Sequence, residues 1–318
     1  MRRLADVGEQ AWIARLTRRL ARSGRDDRRV LVGPGDDAAA VRPDGRRPLL
    51  LTTDTLVEGV HFRRGWASPR ALGERAFAVN ASDVAAMGGR PTFALLALEA
   101  PASLPAADLD ALVGGVAAAA RAAGARLVGG NLSAGPRLAV TLALVGVAPG
   151  RLVTRAGARP GDRLWLTGAL GAAGLGVRRG RLARVPLRTG AGVLLARVAS
   201  AMIDVSDGLV QDLGHLCRAS RVGAELELPR LPVAPAVRRA LGSRAARFAA
   251  TAGEDYELLA AVPRARERTL ARLSGRLGCR LTCIGRVVAG RPAVRVLDGR
   301  GRPVHLGRGG FDHFAGRA

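Results

Sequence analysis

Leu49-Leu50-Leu51-Thr52-Thr53-Asp54 decides how this chain is read. Three consecutive leucines predict a strand buried on both faces, and the run passes directly into two hydroxyls and a carboxylate. The pattern returns at Ala201-Met202-Ile203-Asp204, which leads into Val205-Ser206-Asp207-Gly208. Apolar strands that end in oxygen ligands are typical of sheets that gather a ligand at their strand ends. Further strands are expected over 92–98, 138–147, 164–167, 224–228, 256–262, 281–288 and 293–297. Helices are expected over 10–23, 68–87 and 106–123, and again from residue 208. Ser68-Pro69 supplies a helix start, Gly88-Gly89 a stop, and Pro149-Gly150 a break near the middle. This alternation predicts an α/β (α+β) protein of two domains, 1–149 and 150–318.

The 318 residues include 50 basic ones, all arginine, against 26 acidic, for a formal charge of +24. The absence of lysine excludes a Walker-type phosphate loop, a protein-kinase strand lysine and Schiff-base chemistry. At 48 % hydrophobic residues the chain can bury a core, but its apolar runs, such as 93–98, are too short to span a bilayer. No apolar segment follows the N-terminal arginines, so no signal peptide is expected. Cys217, Cys279 and Cys283 lack metal-ligand spacing and read as reduced thiols of a cytoplasmic protein. The charge invites a nucleic-acid reading. The arginines run along the whole chain, however, and three Trp, one Tyr and six Phe make a poor stacking platform. The charge is therefore read as compositional background, with no dedicated nucleic-acid partner.

The acidic residues are more informative. They fall beside Gly, Ser or Thr in Gly35-Asp36-Asp37, Thr53-Asp54, Ser82-Asp83, Asp204-Val205-Ser206-Asp207 and Gly253-Glu254-Asp255. Singly, each is ordinary turn or cap chemistry. Together they offer the hard oxygen ligands that Mg²⁺ takes. Carboxylates repel phosphate unless divalent ions lie between them, which is the electrostatic logic of phosphoryl transfer. Gly33-Pro34-Gly35 and Gly129-Gly130-Asn131 add loops where a phosphate could approach the backbone, although a glycine pair is usually just a turn.

Longer stretches carry a resemblance. Gly35-Asp36-Asp37-Ala38-Ala39 is followed by Thr52-Thr53-Asp54-Thr55-Leu56-Val57-Glu58-Gly59-Val60-His61-Phe62, then Ala78-Val79-Asn80-Ala81-Ser82-Asp83. Met202-Ile203-Asp204-Val205-Ser206-Asp207-Gly208, Gly253-Glu254-Asp255-Tyr256-Glu257-Leu258 and Phe311-Asp312-His313-Phe314 come after them. In this order the set resembles the thiamine-monophosphate kinase family, within the larger group related to aminoimidazole ribonucleotide synthetase. The resemblance implies ATP-dependent phosphorylation of thiamine monophosphate to thiamine diphosphate by direct in-line transfer. It implies a homodimer paired through mixed-sheet N-terminal domains, with an α/β C-terminal domain completing the substrate site. By the same resemblance, Asp37, Thr52, Thr53, Asp54, Asp83, Asp204 and Asp207 would hold several Mg²⁺ ions. Asp204 and Asp207 would also orient the acceptor phosphate. Gly130, Asn131, Arg155 and Ser206 would contact ATP, while His61, Glu254 and Phe311 would hold the thiamine substrate. Asn131 stands where many members carry aspartate, so it is assigned to the nucleotide and not to metal.

Rival readings stay within reach of a test. Selenophosphate synthetases need a glycine-rich lysine and an early cysteine, and this chain has no lysine and no cysteine before Cys217. Ribonucleotide synthetases and hydrogenase-maturation relatives lack the His61-Phe62 context. A nucleic-acid binder would show steep salt dependence and no need for Mg²⁺.

Overall fold

The computed structural model describes residues 11, 28–33, 35–42 and 47–307. The helix expected over 10–23 lies outside them except for residue 11, and Phe311 lies outside them too.

The first half comprises β1 (Val30–Val32), β2 (Ala39–Val41), β3 (Leu49–Val57), α1 (Pro69–Ala86), β4 (Arg90–Ala100), α2 (Ala106–Ala122), β5 (Arg126–Ala134) and β6 (Ala139–Val147). Its strands form one sheet in the order β1-β2-β3-β6-β4-β5. Only β4 and β5 run parallel, and α2 provides their crossover. From Phe93 to Glu99 burial alternates strictly along β4. Ala94, Leu96 and Leu98 point under the helices and share a core with Leu50, Phe77, Leu142 and Leu144. Phe93 and Leu95 point the other way, and both are 52 % exposed. With Leu51 and Val128 they leave an apolar strip on the open side of the sheet.

α1 is the pivot of the molecule. Ser68 caps it by accepting from the Ala71 N–H, and Pro69 occupies its first turn. Thirteen of its 18 residues are buried, so it is covered nearly all round and shows no amphipathic stripe. It crosses α2 at glycine contacts. A Cβ at Gly73 would sit 1.9 Å from the Leu112 carbonyl oxygen, and one at Gly115 2.0 Å from that of Arg70. Only hydrogen side chains allow this approach.

The second half comprises β7 (Arg163–Thr167), α3 (Ala172–Arg178), α4 (Thr189–Leu195), β8 (Ala201–Val205), α5 (Leu209–Ser220), β9 (Gly223–Glu227), α6 (Pro235–Leu241), α7 (Ala245–Thr251), β10 (Glu257–Val262), α8 (Glu267–Ser274), β11 (Leu281–Val288) and β12 (Val294–Leu297). The sheet order is β12-β9-β11-β7-β10-β8. β8 is its edge strand, yet all five of its residues are buried, because α1 packs against it. Ala85 and Ala86 of α1 share a core with Leu195, Met202 and Leu258. The chain of contacts β3–α1–β8 carries the site from one sheet to the other.

Three sequence expectations change. The leucine run 49–51 is buried on one face only, with Leu50 in the core and Leu51 39 % exposed. Gly129-Gly130-Asn131 lies inside β5 and is not a turn. A Cβ at Gly130 would sit 1.8 Å from the Leu96 carbonyl oxygen, so this glycine serves strand packing. Asp54 lies within β3, three residues before its end at Val57, and not at the strand terminus.

Candidate active site

The β pleat sorts the residues of β3. Thr52 faces α1, where its hydroxyl donates to Asp83 Oδ2 at 2.6 Å. Asp54 is two residues on and shares that side, while Thr53 between them faces the open side of the sheet. From β8, Asp204 Oδ2 accepts from the Ser82 hydroxyl at 2.7 Å. Carboxylate oxygens of Asp37, Asp83 and Asp204 thus lie within 4.8 Å of one another.

Such a cluster cannot be fully ionised without a counter-charge. Burial pushes the Asp83 carboxyl well up, and the charges of Asp54, Asp204 and Asp37 add to this. Asp204 is raised by burial and then by Asp37, with the Ser82 hydroxyl and Arg155 opposing. Asp54 is open to solvent at its surface but crowded by protein around it. Loss of water raises its carboxyl, and the negative charge of Glu254 raises it further. Asp36 is pushed up to about 6 by burial and by Asp37.

Among the described residues, Arg155 is the one cation that pairs with the cluster directly. It lies between the two sheets in the chain, and its Nη2 donates to Asp37 Oδ1 at 2.8 Å. Its backbone N–H donates to both Asp36 oxygens, at 3.0 and 3.2 Å. At this cluster two buried atoms, Asp37 Oδ2 and Arg155 Nε, have no partner among the described residues. An orphaned carboxylate oxygen within a triad of carboxylates is what a hard divalent cation would satisfy. An orphaned guanidinium N–H beside it would suit an anionic oxygen. The residues present therefore fit Mg²⁺ bound with phosphate.

Asp207 stands beside this triad in a second group with Asp212 and His215. Asp212 Oδ2 accepts the N–H groups of Asp207 and Gly208 at 3.2 and 3.0 Å, which anchors the turn into α5. Gln211 donates to Asp207 Oδ2 at 2.9 Å. His215 belongs to none of the sequence motifs. The structure brings it to Asp207 because 212 and 215 are one turn apart on α5.

The loop at 253–256 closes the other side. Glu254 N–H donates to the Ser206 carbonyl at 2.6 Å, and Tyr256 N–H to that of Val205 at 2.8 Å. Glu254 and Tyr256 hold positive φ angles of 75° and 51°, a conformation that persists only where surrounding contacts impose it. Buried Arg75 of α1 pairs with Glu254 Oε2. Arg75 is invisible in the sequence, being one arginine among many. Its only signal is its place one turn before Val79-Asn80 on a helix buried on all sides.

Other expected site residues lie farther off. His61 Nδ1 accepts from the Val57 N–H at 3.0 Å, in the turn that leaves β3. Gly130 and Asn131 lie on β5, three strand spacings from β3, or about 14 Å within one chain. Asn131 shares the open sheet side with Thr55 and Thr141.

Comparison with known proteins agrees with this architecture. Residues 35–148 match the family described as AIR synthase related protein, N-terminal domain, and residues 159–297 match its C-terminal domain. The thiamine-monophosphate kinase of Salmonella typhimurium is 39 % identical over 331 residues, covering 97 % of this chain and 98 % of its own. That of Mycobacterium tuberculosis is 39 % identical over 277 residues, 81 % of each chain. A solved structure described as AaThiL complexed with AMPPCP and TMP superposes with a TM-score of 0.83 at 32 % identity. It covers 98 % of this chain and 99 % of that one. Similarity of this depth, running through both sheets and the acidic junction between them, shows that the chain belongs to the thiamine-monophosphate kinase family.

Proposed function

We infer that the protein transfers the γ-phosphoryl group of ATP to the phosphate of thiamine monophosphate, giving thiamine diphosphate and ADP. An acceptor phosphate oxygen forms the new bond to phosphorus, and the bond to the β–γ bridging oxygen breaks. The observation that carries this reading is the triad Asp37, Asp83 and Asp204, with its orphaned oxygen and the adjoining Arg155, in a chain of this family.

Asp37, Thr52, Asp54, Asp83, Asp204 and Asp207 are the residues that would hold Mg²⁺, whereas Thr53, whose side chain faces the open side of the sheet, would join only through its backbone carbonyl. Bound there, the ions would neutralise phosphate charge as it develops during transfer. The protein's own part is positioning. Ser82 and Thr52 fix two carboxylates from helix and strand, so the site is organised before substrate arrives. Arg155 offers a planar fork, one arm on Asp37 and its Nε free for a nucleotide phosphate. Ser206 and Asp207 sit on a turn pinned by Asp212 and by the 253–256 loop. An acceptor phosphate is already ionised at neutral pH, so transfer requires no strong general base.

On this reading residues 1–149 form the ATP- and Mg²⁺-binding half, and 150–318 complete the substrate site with Glu254 and Phe311. His61 contributes to the thiamine pocket, and Gly130 and Asn131 to the nucleotide. The open apolar strip of Leu51, Phe93, Leu95 and Val128 suits pairing with a second copy, which makes the enzyme a homodimer. Three free cysteines suit a cytoplasmic enzyme, and among the described residues no helix is long and apolar enough to cross a membrane.

The test is a purified-protein assay with ATP, Mg²⁺ and a panel of phosphorylated acceptors, reading ADP and thiamine diphosphate by chromatography. ADP formed only with thiamine monophosphate and Mg²⁺ is the expected result. Folded protein that gives no ADP with this acceptor overturns the reading.

A further inference from the structure

Arg75 is a buried cation whose contacts come from two separate segments, the chain at Ala183 and the 253–256 loop. Its side chain is 4 % exposed. Nη1 donates to the Ala183 carbonyl at 2.9 Å, and Nη2 donates to Glu254 Oε2. The guanidinium carbon lies 5.6 Å from the centre of the Tyr256 ring. A charge this buried persists only with a fixed partner. Glu254 is that partner, and its own backbone is held in a left-handed conformation by the Ser206 carbonyl.

The pairing changes what Glu254 can offer a ligand. Its side chain is 30 % exposed, so part of it stays accessible to a ligand. Among the described residues only Arg75 donates to it, through Oε2, and Oε1 is left as an acceptor. A carboxylate already neutralised by a buried guanidinium is a weak counter-ion for a second cation. Its free oxygen still accepts hydrogen bonds at full geometry.

We propose that Arg75 is a positioning residue for thiamine monophosphate: it neutralises Glu254 and aims its free oxygen at the aminopyrimidine N–H, so the site selects this amine and not the thiazolium charge. The proposal rests on the kinase reading above and deepens it by naming the recognised group. It gives Arg75 a role through Glu254 and no contact with the reacting phosphates.

The experiment compares three acceptors at fixed ATP and Mg²⁺: thiamine monophosphate, an analogue with a carbonyl in place of the 4′-amino group, and an analogue with a neutral ring in place of the thiazolium. The wild-type enzyme should use the neutral-ring analogue nearly as well as thiamine monophosphate. It should lose about tenfold or more in kcat/KM with the carbonyl analogue, the worth of one charge-assisted hydrogen bond. In Arg75→Met the released charge on Glu254 should now favour the cationic ring. The neutral-ring analogue should then fall about tenfold behind, with KM for ATP little changed. Arg75→Lys keeps the charge and should keep the wild-type order of acceptors.

A tenfold loss with the neutral-ring analogue in the wild type overturns the proposal, as does full use of the carbonyl analogue. An Arg75→Met enzyme with the wild-type order of acceptors also overturns it. If Arg75→Met does not fold, the wild-type comparison decides alone. Absence of any turnover with thiamine monophosphate overturns the kinase reading itself, a separate and recognisable result.

Discussion

Arg155 and Asp37 meet across the junction of the two halves, with Nη2 donating to Oδ1 at 2.8 Å while the Asp37 side chain keeps no exposed surface. Sequence distance hides this pair, since 118 positions separate the residues. Removing the guanidinium strands a buried carboxylate and, on the proposed function, takes away a donor for phosphate. Arg155→Met is expected to lose about 100-fold in turnover and to raise KM for ATP more than for thiamine monophosphate. Arg155→Lys should recover little, because an ammonium has neither the fork nor an equivalent of Nε. Steady-state kinetics with each substrate varied in turn checks both.

Adjacent glycines of α2 should respond with opposite signs. A Cβ at Gly115 would collide with the Arg70 carbonyl at 2.0 Å, whereas one at Gly114 meets nothing within 4 Å. Gly115→Ala should therefore cost about 1–3 kcal/mol by forcing α1 and α2 apart. Gly114→Ala should gain about 0.5–1 kcal/mol, because alanine loses less entropy on entering a helix. Urea unfolding of the two variants measures the pair, and equal effects would contradict the close crossing.

Asp255 predicts a pH dependence. Its oxygens accept from the Gly171 N–H at 2.6 Å and the Ala173 N–H at 3.2 Å. Burial pushes its carboxyl up to about 7 despite those donors. The folded protein thus holds this proton more tightly than the unfolded chain does. The stability that comes with the neutral form is complete at about pH 4 and is lost as pH rises through about 7. Asp255→Asn cannot titrate. The stability of the wild type relative to this variant should fall over that range by at most about 1.4 kcal/mol per pH unit. Unfolding curves across the range measure the slope, and a flat difference would show an unshifted carboxyl.

Phe93 and Leu95 place two large apolar side chains side by side on an open sheet face. If a second copy covers them, Leu95→Glu buries a charge in that interface and should shift the protein from dimer to monomer in light scattering. The fold should remain, since neither residue belongs to the inner core. A variant with unchanged mass in solution would remove this face from the interface.

Much of the fold was legible because its signals are local. The expected helix over 106–123 is α2 to within a residue, and 138–147 is β6 to within a residue, since apolar periodicity and turn residues mark both. β5 was hidden, because Gly129, Gly130 and Gly135 imitate a loop. The need for glycine at 130 comes from the neighbouring strand's carbonyl, which no local pattern reports. The acidic motifs were visible as a set, but their grouping was not. Asp207 turned toward Asp212 and His215, while Asp37, Asp83 and Asp204 converged. Beyond its place on α1 Arg75 carried no signal, because nothing in a chain with 50 arginines says which one will be buried.

The sequence by itself determined most of the element types and which residue kinds supply charge. Periodicity, capping and turn chemistry act over a few residues, and the lack of lysine is a matter of reading. Tertiary structure alone decided which of 26 acidic residues share a site and which arginines answer them. That choice follows from α1 being wedged between β3 and β8. Packing at this junction forces carboxylates from three distant segments within 4.8 Å of each other, against their own repulsion.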